Sequence, residues 1–375
     1  MTEAHALLLL HLMPIVGYTT KTALYALAGS EARRVLACDF DEPPTPIALR
    51  NLQRALKQVS EVEEQIAKIH AFNDKNNVQT LTIADAEYPQ RLREGYEPPF
   101  ALFVRGNGYN LNAKHIVSVV GTRQISPYGQ DLCRHTMKAL ETLKNDVLIV
   151  SGLAYGVDIC AHREAIKHRL PNIAVLAHGL DRIYPTLHTT TANEIAAHGA
   201  LLTEYPPNTI PDKGRFVRRN RIVAGLCDAC LVIESAERGG ALITAQLAFD
   251  TNRELLAYPG RTLDSTSQGC NKLIAQGKAQ LLLSADELLT HMGWDIDKQA
   301  KKDASTAQTT LFDEQLPLTE QAILCVLANN SEGLSLNQLV SNTGLSIATI
   351  TAAAINLEIM GRVVAMAGNV YRLLR

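Results

Sequence analysis

No apolar run in the 375 residues approaches the roughly 18 uninterrupted residues of a membrane span. The short run Leu7 to Leu10 has no basic segment before it, so neither a membrane span nor an export signal is expected. Cysteine is sparse and unpatterned. The seven residues Cys38, Cys133, Cys160, Cys227, Cys230, Cys270 and Cys325 form no disulfide framework, which fits a reducing cytoplasm. Net charge is nearly absent too: 36 Lys and Arg against 38 Asp and Glu leave −2 at pH 7. Any nucleic-acid contact must therefore come from a local basic cluster and not from a global field. What is present is an ordinary soluble composition, 46% hydrophobic and 20% charged, which excludes wholesale disorder and collagen-like repeats. The length suggests two or three domains.

Residues 1–75 carry apolar positions at helical spacing, interrupted by Pro14, Gly17 and Asp41-Glu42-Pro43-Pro44, and predict a small helical bundle. Within it, Leu12-Met13-Pro14-Ile15-Val16-Gly17-Tyr18 resembles the hairpin of helix-hairpin-helix DNA modules, but it lacks a second glycine and dense Lys or Arg, so a structural or docking role is the expectation. From residue 114 the pattern becomes short β-branched runs alternating with helical ones: Ile116 to Val120, Val147 to Val150, Ile173 to Leu176, Leu201 to Glu204, Cys230 to Ile233, Leu255 to Ala257 and Gln280 to Leu283. Such runs predict a Rossmann-like, doubly wound parallel α/β sheet covered on both faces, assigned to residues 76–293. Its ligand should meet the loops just after the strands. Residues 294–315 read as a polar linker. Residues 316–375 predict three helices, at Thr319 to Ala328, Ser335 to Ser341 and Ser346 to Met360. A hairpin of Val363 to Met366 and Val370 to Leu373 follows, completing the outline of a winged helix.

Several stretches of this domain invite a chemical reading. In Gly121-Thr122-Arg123-Gln124-Ile125-Ser126-Pro127, Ser126 is a natural N-cap and Pro127 a natural first helical residue, so free N–H groups beside Arg123 would make an anion site. Ser151-Gly152-Leu153-Ala154-Tyr155-Gly156 would let backbone approach phosphate closely. Asp158 and His162, four apart on one helix face, are expected to share a structural hydrogen bond and not to bind metal. The run Lys213-Gly214-Arg215-Phe216-Val217-Arg218-Arg219-Asn220-Arg221 places five basic side chains around one aromatic ring, the mixture that single-stranded nucleic acid requires. Cys227-Asp228-Ala229-Cys230 has no second half-site, so neither zinc nor redox chemistry is expected of it, and no cofactor is expected elsewhere.

Taken in order, Gly121-Thr122-Arg123 with Ser126, Ser151-Gly152-Leu153-Ala154 with Gly156 and Asp158, Gly179-Leu180-Asp181 with Tyr184-Pro185, Phe216 with Arg218-Arg219-Asn220-Arg221, and Gly269-Cys270-Asn271 resemble the DNA-processing protein A family, also called DprA or Smf. The resemblance is strongest over residues 80–290 and looser over the bundle and the winged helix. It implies an extended Rossmann-like fold that binds and protects single-stranded DNA and helps load a RecA-type recombinase during natural transformation. It further implies a binding pocket at Gly121, Arg123, Ser151, Lys213, Phe216, Arg218, Asn220 and Arg221, and a homodimer formed near Asn271 to Ile274. Ala177 and His188 depart from the family's usual Gly and Asn.

An enzyme of related fold, a nucleotide phosphoribohydrolase, is the main alternative, with Glu234 or Glu237 as its carboxylate; Ser235-Ala236-Glu237-Arg238-Gly239-Gly240-Ala241 lacks the proline of that family's loop. A winged-helix regulator of duplex DNA is disfavoured. Residues 316–375 hold three basic residues, Arg362, Arg372 and Arg375, against Glu320, Glu332 and Glu358, and Ser346 to Met360 contains no cation. Protein docking or assembly is the expectation for that domain.

Overall fold

The computed structural model describes residues 1–95, 97–294, 316–328, 330, 333–360, 362–366 and 370–373. Most of the expected linker and the 367–369 turn of the expected hairpin lie outside the described residues. The chain divides into two compact units, Met1–Met292 and Gly293–Arg375.

The first unit opens with five helices, α1 (Glu3–Leu12), α2 (Tyr18–Leu27), α3 (Ala32–Leu36), α4 (Pro46–Leu56) and α5 (Val59–Asn76). The breaks fall where local chemistry requires them. Gly17 precedes α2, and Thr45 caps α4, accepting the Ala48 N–H with Pro46 at the first helical position. Leu7, Leu8, Leu9 and Leu10 of α1 are all buried, because the helix is covered on two sides. Leu7 and Leu10 pack in the bundle with Leu24, Val35, Leu52 and Phe100. Leu8 and Leu9 pack with Val62 and Ile66 against Phe103 and Leu201 of the sheet. Residues 1–75 thus share a core with the sheet that follows.

That sheet contains, among the described residues, nine strands: β1 (Val78–Thr82), β2 (Ala101–Gly106), β3 (His115–Val120), β4 (Val147–Ser151), β5 (Asn172–Val175), β6 (Ala200–Thr203), β7 (Ala229–Val232), β8 (Glu254–Ala257) and β9 (Gln280–Leu281). Their order is β1-β2-β6-β5-β4-β3-β7-β8-β9. All seven expected runs are strands, and in this order those from β6 to β9 are parallel, with Ile149 opposite Val117 and Cys230 opposite Ser118. The hairpin of β1 and β2, whose β2 pairs antiparallel with β6, is an addition to the parallel sheet expected from sequence. Gln79, Thr80 and Thr82 dilute the apolar run of β1 below an obvious strand signal. Helices α6 (Gln90–Arg93), α7 (Pro127–Leu140), α8 (Val157–Lys167), α9 (Thr189–His198), α10 (Lys213–Leu226), α11 (Gly240–Asp250), α12 (Gln268–Ala275) and α13 (Ala285–His291) complete the unit. Strand order reverses between β3 and β7, the place where doubly wound sheets open a crevice.

In the second unit, α14 (Leu318–Ala328), α15 (Leu336–Thr343) and α16 (Ile347–Ile359) pack with a sheet ordered β10 (Leu334–Ser335), β12 (Val370–Leu373) and β11 (Val363–Met366). Ser335 and Gln338 form a reciprocal capping box, Gly344 ends α15 in the left-handed region, and Ser346 caps α16. Ile323, Leu327, Leu339, Ile350, Leu357 and Val363 fill its core. The winged-helix expectation holds.

Candidate nucleic-acid interface

Helix α10 starts at Lys213 because the Asp212 carboxylate caps it, accepting the Arg215 N–H at 3.0 Å. It is anchored below by Ser118 Oγ, which donates to the Val223 carbonyl at 2.6 Å, and by Arg219 Nη1, which donates to the Val175 carbonyl at 2.5 Å. Lys213, Phe216, Asn220 and Val223, spaced three to four apart, therefore share one face. They line a cleft of about 680 Å³ whose other residues include Gly121-Thr122-Arg123, Gly152, Tyr184 and Gly239-Gly240. The cleft thus gathers loops that follow β3, β4 and β7, at the point of strand reversal.

Phe216 is flanked by the Tyr184 ring, 5.7 Å away and tilted by 50°, and by the Arg123 guanidinium carbon, 5.7 Å from the Phe216 centroid. Arg123, Lys213 and Tyr184 are exposed. The floor is different. Arg219 is only 4% exposed, and a Cβ at Gly152 would collide with its guanidinium, so any side chain there would displace this buried arginine. Gly156 has φ +77° and a Cβ would strike the Thr122 carbonyl. Burial lowers the Arg219 pKa, while the charge of Asp158 acts the other way. Burial raises the Asp158 pKa, opposed by Arg219 and by the Ala154 and Gly152 N–H groups.

Both turns expected to receive phosphate are filled by the protein's own carboxylates. Glu234, 2% exposed, accepts the Ser126 N–H at 2.9 Å and the Ser126 Oγ–H at 2.5 Å. Asp158 accepts the Gly152 N–H at 3.2 Å and the Ala154 N–H at 3.4 Å. The expectation of an open anion site at Ser126 is corrected accordingly, since an anion already occupies that helix end. Positive charge at the mouth of the cleft belongs instead to the side chains of Arg123 and Lys213.

Of the residues singled out from sequence, Gly121, Arg123, Gly152, Lys213, Phe216, Arg219 and Asn220 are brought together here. Ser151 is buried beneath, its Oγ donating to the Val119 carbonyl at 2.6 Å. Arg218 and Arg221 lie on the opposite face of α10, toward Glu204 and Tyr18. His162 bonds Asn172, not Asp158, through Nδ1 at 3.0 Å, and burial lowers its pKa to about 4. The hydrogen bond expected between Asp158 and His162 is therefore replaced by separate ones, from the Gly152 and Ala154 N–H groups to Asp158 and between His162 and Asn172. Ala177 and His188 are both buried, and His188 Nδ1 donates to the Leu153 carbonyl at 2.9 Å. Cys227 and Cys230 are buried free thiols. Among the described residues no group of three or more His, Cys, Asp or Glu could hold a metal ion, and no helix is long and apolar enough to cross a membrane. The stretch Glu234 to Ala245, read from sequence as part of the ligand-facing rim, contributes Ala236, Gly239, Gly240, Ala241, Ile243 and Thr244 to the cleft, whereas sequence reasoning gave Tyr184 no role beyond the family resemblance. The available signal for Tyr184 was an exposed aromatic next to a proline in a loop after a strand.

Comparison with known proteins places these features in a family. The family described as DNA recombination-mediator protein A matches residues 79–293, and the DprA winged helix domain matches residues 306–369. The DNA processing protein DprA of Bacillus subtilis is 34% identical over 253 residues, covering 67% of this chain and 84% of that protein. Protein Smf of Escherichia coli is 33% identical over 339 residues, covering 88% and 86%. The crystal structure of DNA processing protein A from Streptococcus pneumoniae is 32% identical with a TM-score of 0.64, over 77% of this chain and 98% of that one. A structure of the Helicobacter pylori protein, concerned with its single-stranded DNA binding mode, is 30% identical with a TM-score of 0.53, over 58% and 96%.

Proposed function

The chain belongs to the DNA recombination-mediator protein A family, DprA or Smf, and from that premise we propose that it is a single-stranded DNA-binding recombination mediator whose strand enters the cleft beside α10. One observation carries the placement: the exposed Arg123 guanidinium stands over the Phe216 ring, with the Tyr184 ring 5.7 Å from it and Lys213 on the rim. Cations there meet phosphate and the rings meet bases, a combination that tolerates any sequence. The single-stranded DNA binding of the H. pylori relative supports the same reading. Gly121, Arg123, Gly152, Lys213, Phe216, Arg219 and Asn220 form the pocket; Ser126 and Ser151 shape the turns around it.

The protein acts by binding and not by catalysis in this reading. Glu234 is consumed as a helix cap, and Glu237 is exposed and paired with Lys272 at 3.1 Å, so neither carboxylate of the phosphoribohydrolase alternative is poised over the cleft. We also place the protein in the cytoplasm, as a homodimer joined near Ile274 that protects incoming strands and helps load a RecA-type recombinase in natural transformation. Residues 1–75, 76–293, 294–315 and 316–375 serve as bundle, DNA-binding domain, linker and assembly module. Fluorescence anisotropy of equal-length single-stranded and duplex oligonucleotides across a salt series tests the central claim. Single strands should bind more tightly, with affinity falling as salt rises. Equal affinity for the two forms refutes it.

A further inference from the structure

The two faces of α10 carry different side chains of one chemical kind. Lys213, Phe216 and Asn220 face the cleft, whereas Arg215 and Arg218, three apart, face the other way. The Arg218 guanidinium carbon stands 4.8 Å from the centroid of the Tyr18 ring, and that of Arg215 stands 5.9 Å from the centroid of Tyr205. Tyr18 comes from the helix-hairpin-helix-like turn of the N-terminal bundle, so this motif abuts the same helix that builds the cleft. Both residues are half-buried, and their hydroxyls, Tyr18 Oη and Tyr205 Oη, are buried with no hydrogen-bond partner among the described residues, so the rings stand behind the two guanidiniums.

Charge on this face is unbalanced. Arg215 of α10 pairs with Asp212, Arg218 and Arg221 share Glu204, and Lys21 of α2 lies near Arg218; Glu97 on the bundle side accepts from Thr19 Oγ1 at 2.7 Å. Glu204 is 3% exposed and makes its 2.6 Å contact with the equally buried Arg221, so its charge is neutralised inside. Arg218 sits 3.6 Å from the same carboxylate but keeps 42% of its side chain exposed. Lys21 is buried and donates to the His11 carbonyl at 2.9 Å, and burial, with Arg218 adding a smaller like-charge effect, pulls its pKa down to about 8. Between the two faces the ridge of α10 is low: exposed Gly214, whose missing side chain leaves room, and Val217, 44% exposed.

We propose that a single DNA strand leaving the cleft crosses α10 over Gly214 and Val217 and is held again on its far side by Arg215 and Arg218, backed by Tyr205 and Tyr18. The occupant is the same strand because the surface is continuous with the cleft and repeats its arginine-over-ring pairing, which suits a phosphate and a neighbouring base. This rests on the proposed single-stranded DNA binding. A helix with its side chains is about 10–12 Å across, so only a strand a few nucleotides longer than the cleft requires reaches this surface.

The test is anisotropy with the full-length protein and oligodeoxythymidylates of about 4 and about 12 nucleotides, within the range of site sizes for such surfaces. The parent, Arg218→Glu, Arg218→Gln and Arg123→Ala are compared, with circular dichroism confirming the fold of each. Arg218→Glu should weaken the longer strand about tenfold and leave the shorter one unchanged; Arg218→Gln should do so to a lesser degree. The slope of log affinity against log salt for the longer strand should fall by about 0.7 for each phosphate that the variant no longer neutralises. A photoreactive thymidine placed near one end of the longer strand should cross-link to peptides containing Tyr18 or Tyr205. An unchanged affinity for the longer strand, or an equal loss for both lengths, overturns the proposal, the second because Arg218 would then act by positioning the cleft. A parent that binds neither strand overturns the reading of the cleft as well, whereas loss in Arg123→Ala alone overturns only the far-side site.

Discussion

Replacing Glu234 with alanine tests whether the helix end beside the cleft is held by the protein itself. The carboxylate is 2% exposed and accepts two hydrogen bonds from Ser126, at 2.9 Å from the backbone N–H and 2.5 Å from Oγ. Hydrogen bonds to a charged group contribute about 1.5–3 kcal/mol each, and a carboxylate at a helix N-terminus adds about 0.3–1 kcal/mol. These terms overlap, and removing the buried charge recovers part of its desolvation, so the net loss expected is about 3 kcal/mol. For a unit of this size one kcal/mol moves Tm by about 2–4 °C, which gives a fall of roughly 6–12 °C by differential scanning calorimetry. Glu234→Gln keeps the shape and an acceptor oxygen and should lose about half as much. The companion measurement is oligonucleotide affinity at a temperature where both proteins are folded. If Glu234 is only a cap, Glu234→Ala binds single-stranded DNA within about threefold of the parent, since phosphate is held by the Arg123 and Lys213 side chains. A Tm loss below about 2 °C would show the helix end to be weakly held, and a large loss of affinity in a folded protein would move Glu234 into the binding site.

The mouth of the cleft should respond in the opposite way: Arg123→Ala and Lys213→Ala, both at exposed positions, should each lower affinity about ten- to a hundredfold with Tm within about 2 °C of the parent. A Tm collapse in either variant would show the side chain to be structural. Acid should destabilise the first unit, because burial holds the pKa of His162 near 4 and of His11 near 3, below the unfolded value of 6.5. Stability from these neutral imidazoles is complete above pH 6.5 and is lost as pH falls through the window toward 4 and 3; at pH 5 each should cost about 2 kcal/mol, read as a shift in urea midpoint that His162→Asn reduces. The homodimer is tested by Ile274→Glu on α12: light scattering should show a monomer in place of a parent dimer, and an unchanged mass would place the interface elsewhere.

The parallel sheet was legible because its strands are buried on both faces and read as near-continuous β-branched runs, as in Ile116-Val117-Ser118-Val119-Val120. The hairpin of β1 and β2 was not, since an edge strand needs no such run and Gln79 and Thr80 interrupt it. The pocket's members were legible from type and order: glycines after strands, and cations around one ring. Their orientation was not. Nine consecutive residues from Lys213 to Arg221 turn through two and a half helical turns, so a cluster that looks single in sequence is divided by the helix into cleft, floor and far face. Phe216 goes to the first, Arg219 to the second, and Arg218 with Arg221 to the third. The anion sites escaped for a related reason. A capped helix start or a glycine turn advertises free N–H groups, but whether a carboxylate more than a hundred residues away already accepts them is a tertiary fact, as with Glu234 at Ser126. Asp158 was four residues from its turn and so could have been read, because an acidic residue in the first turn of a helix tends to fold back on preceding N–H groups. With both turns neutralised from within, the cleft keeps its positive charge on side chains, Arg123 and Lys213 at the mouth and the buried Arg219 at the floor, so contact with a phosphate falls to these side chains and not to the turn N–H groups.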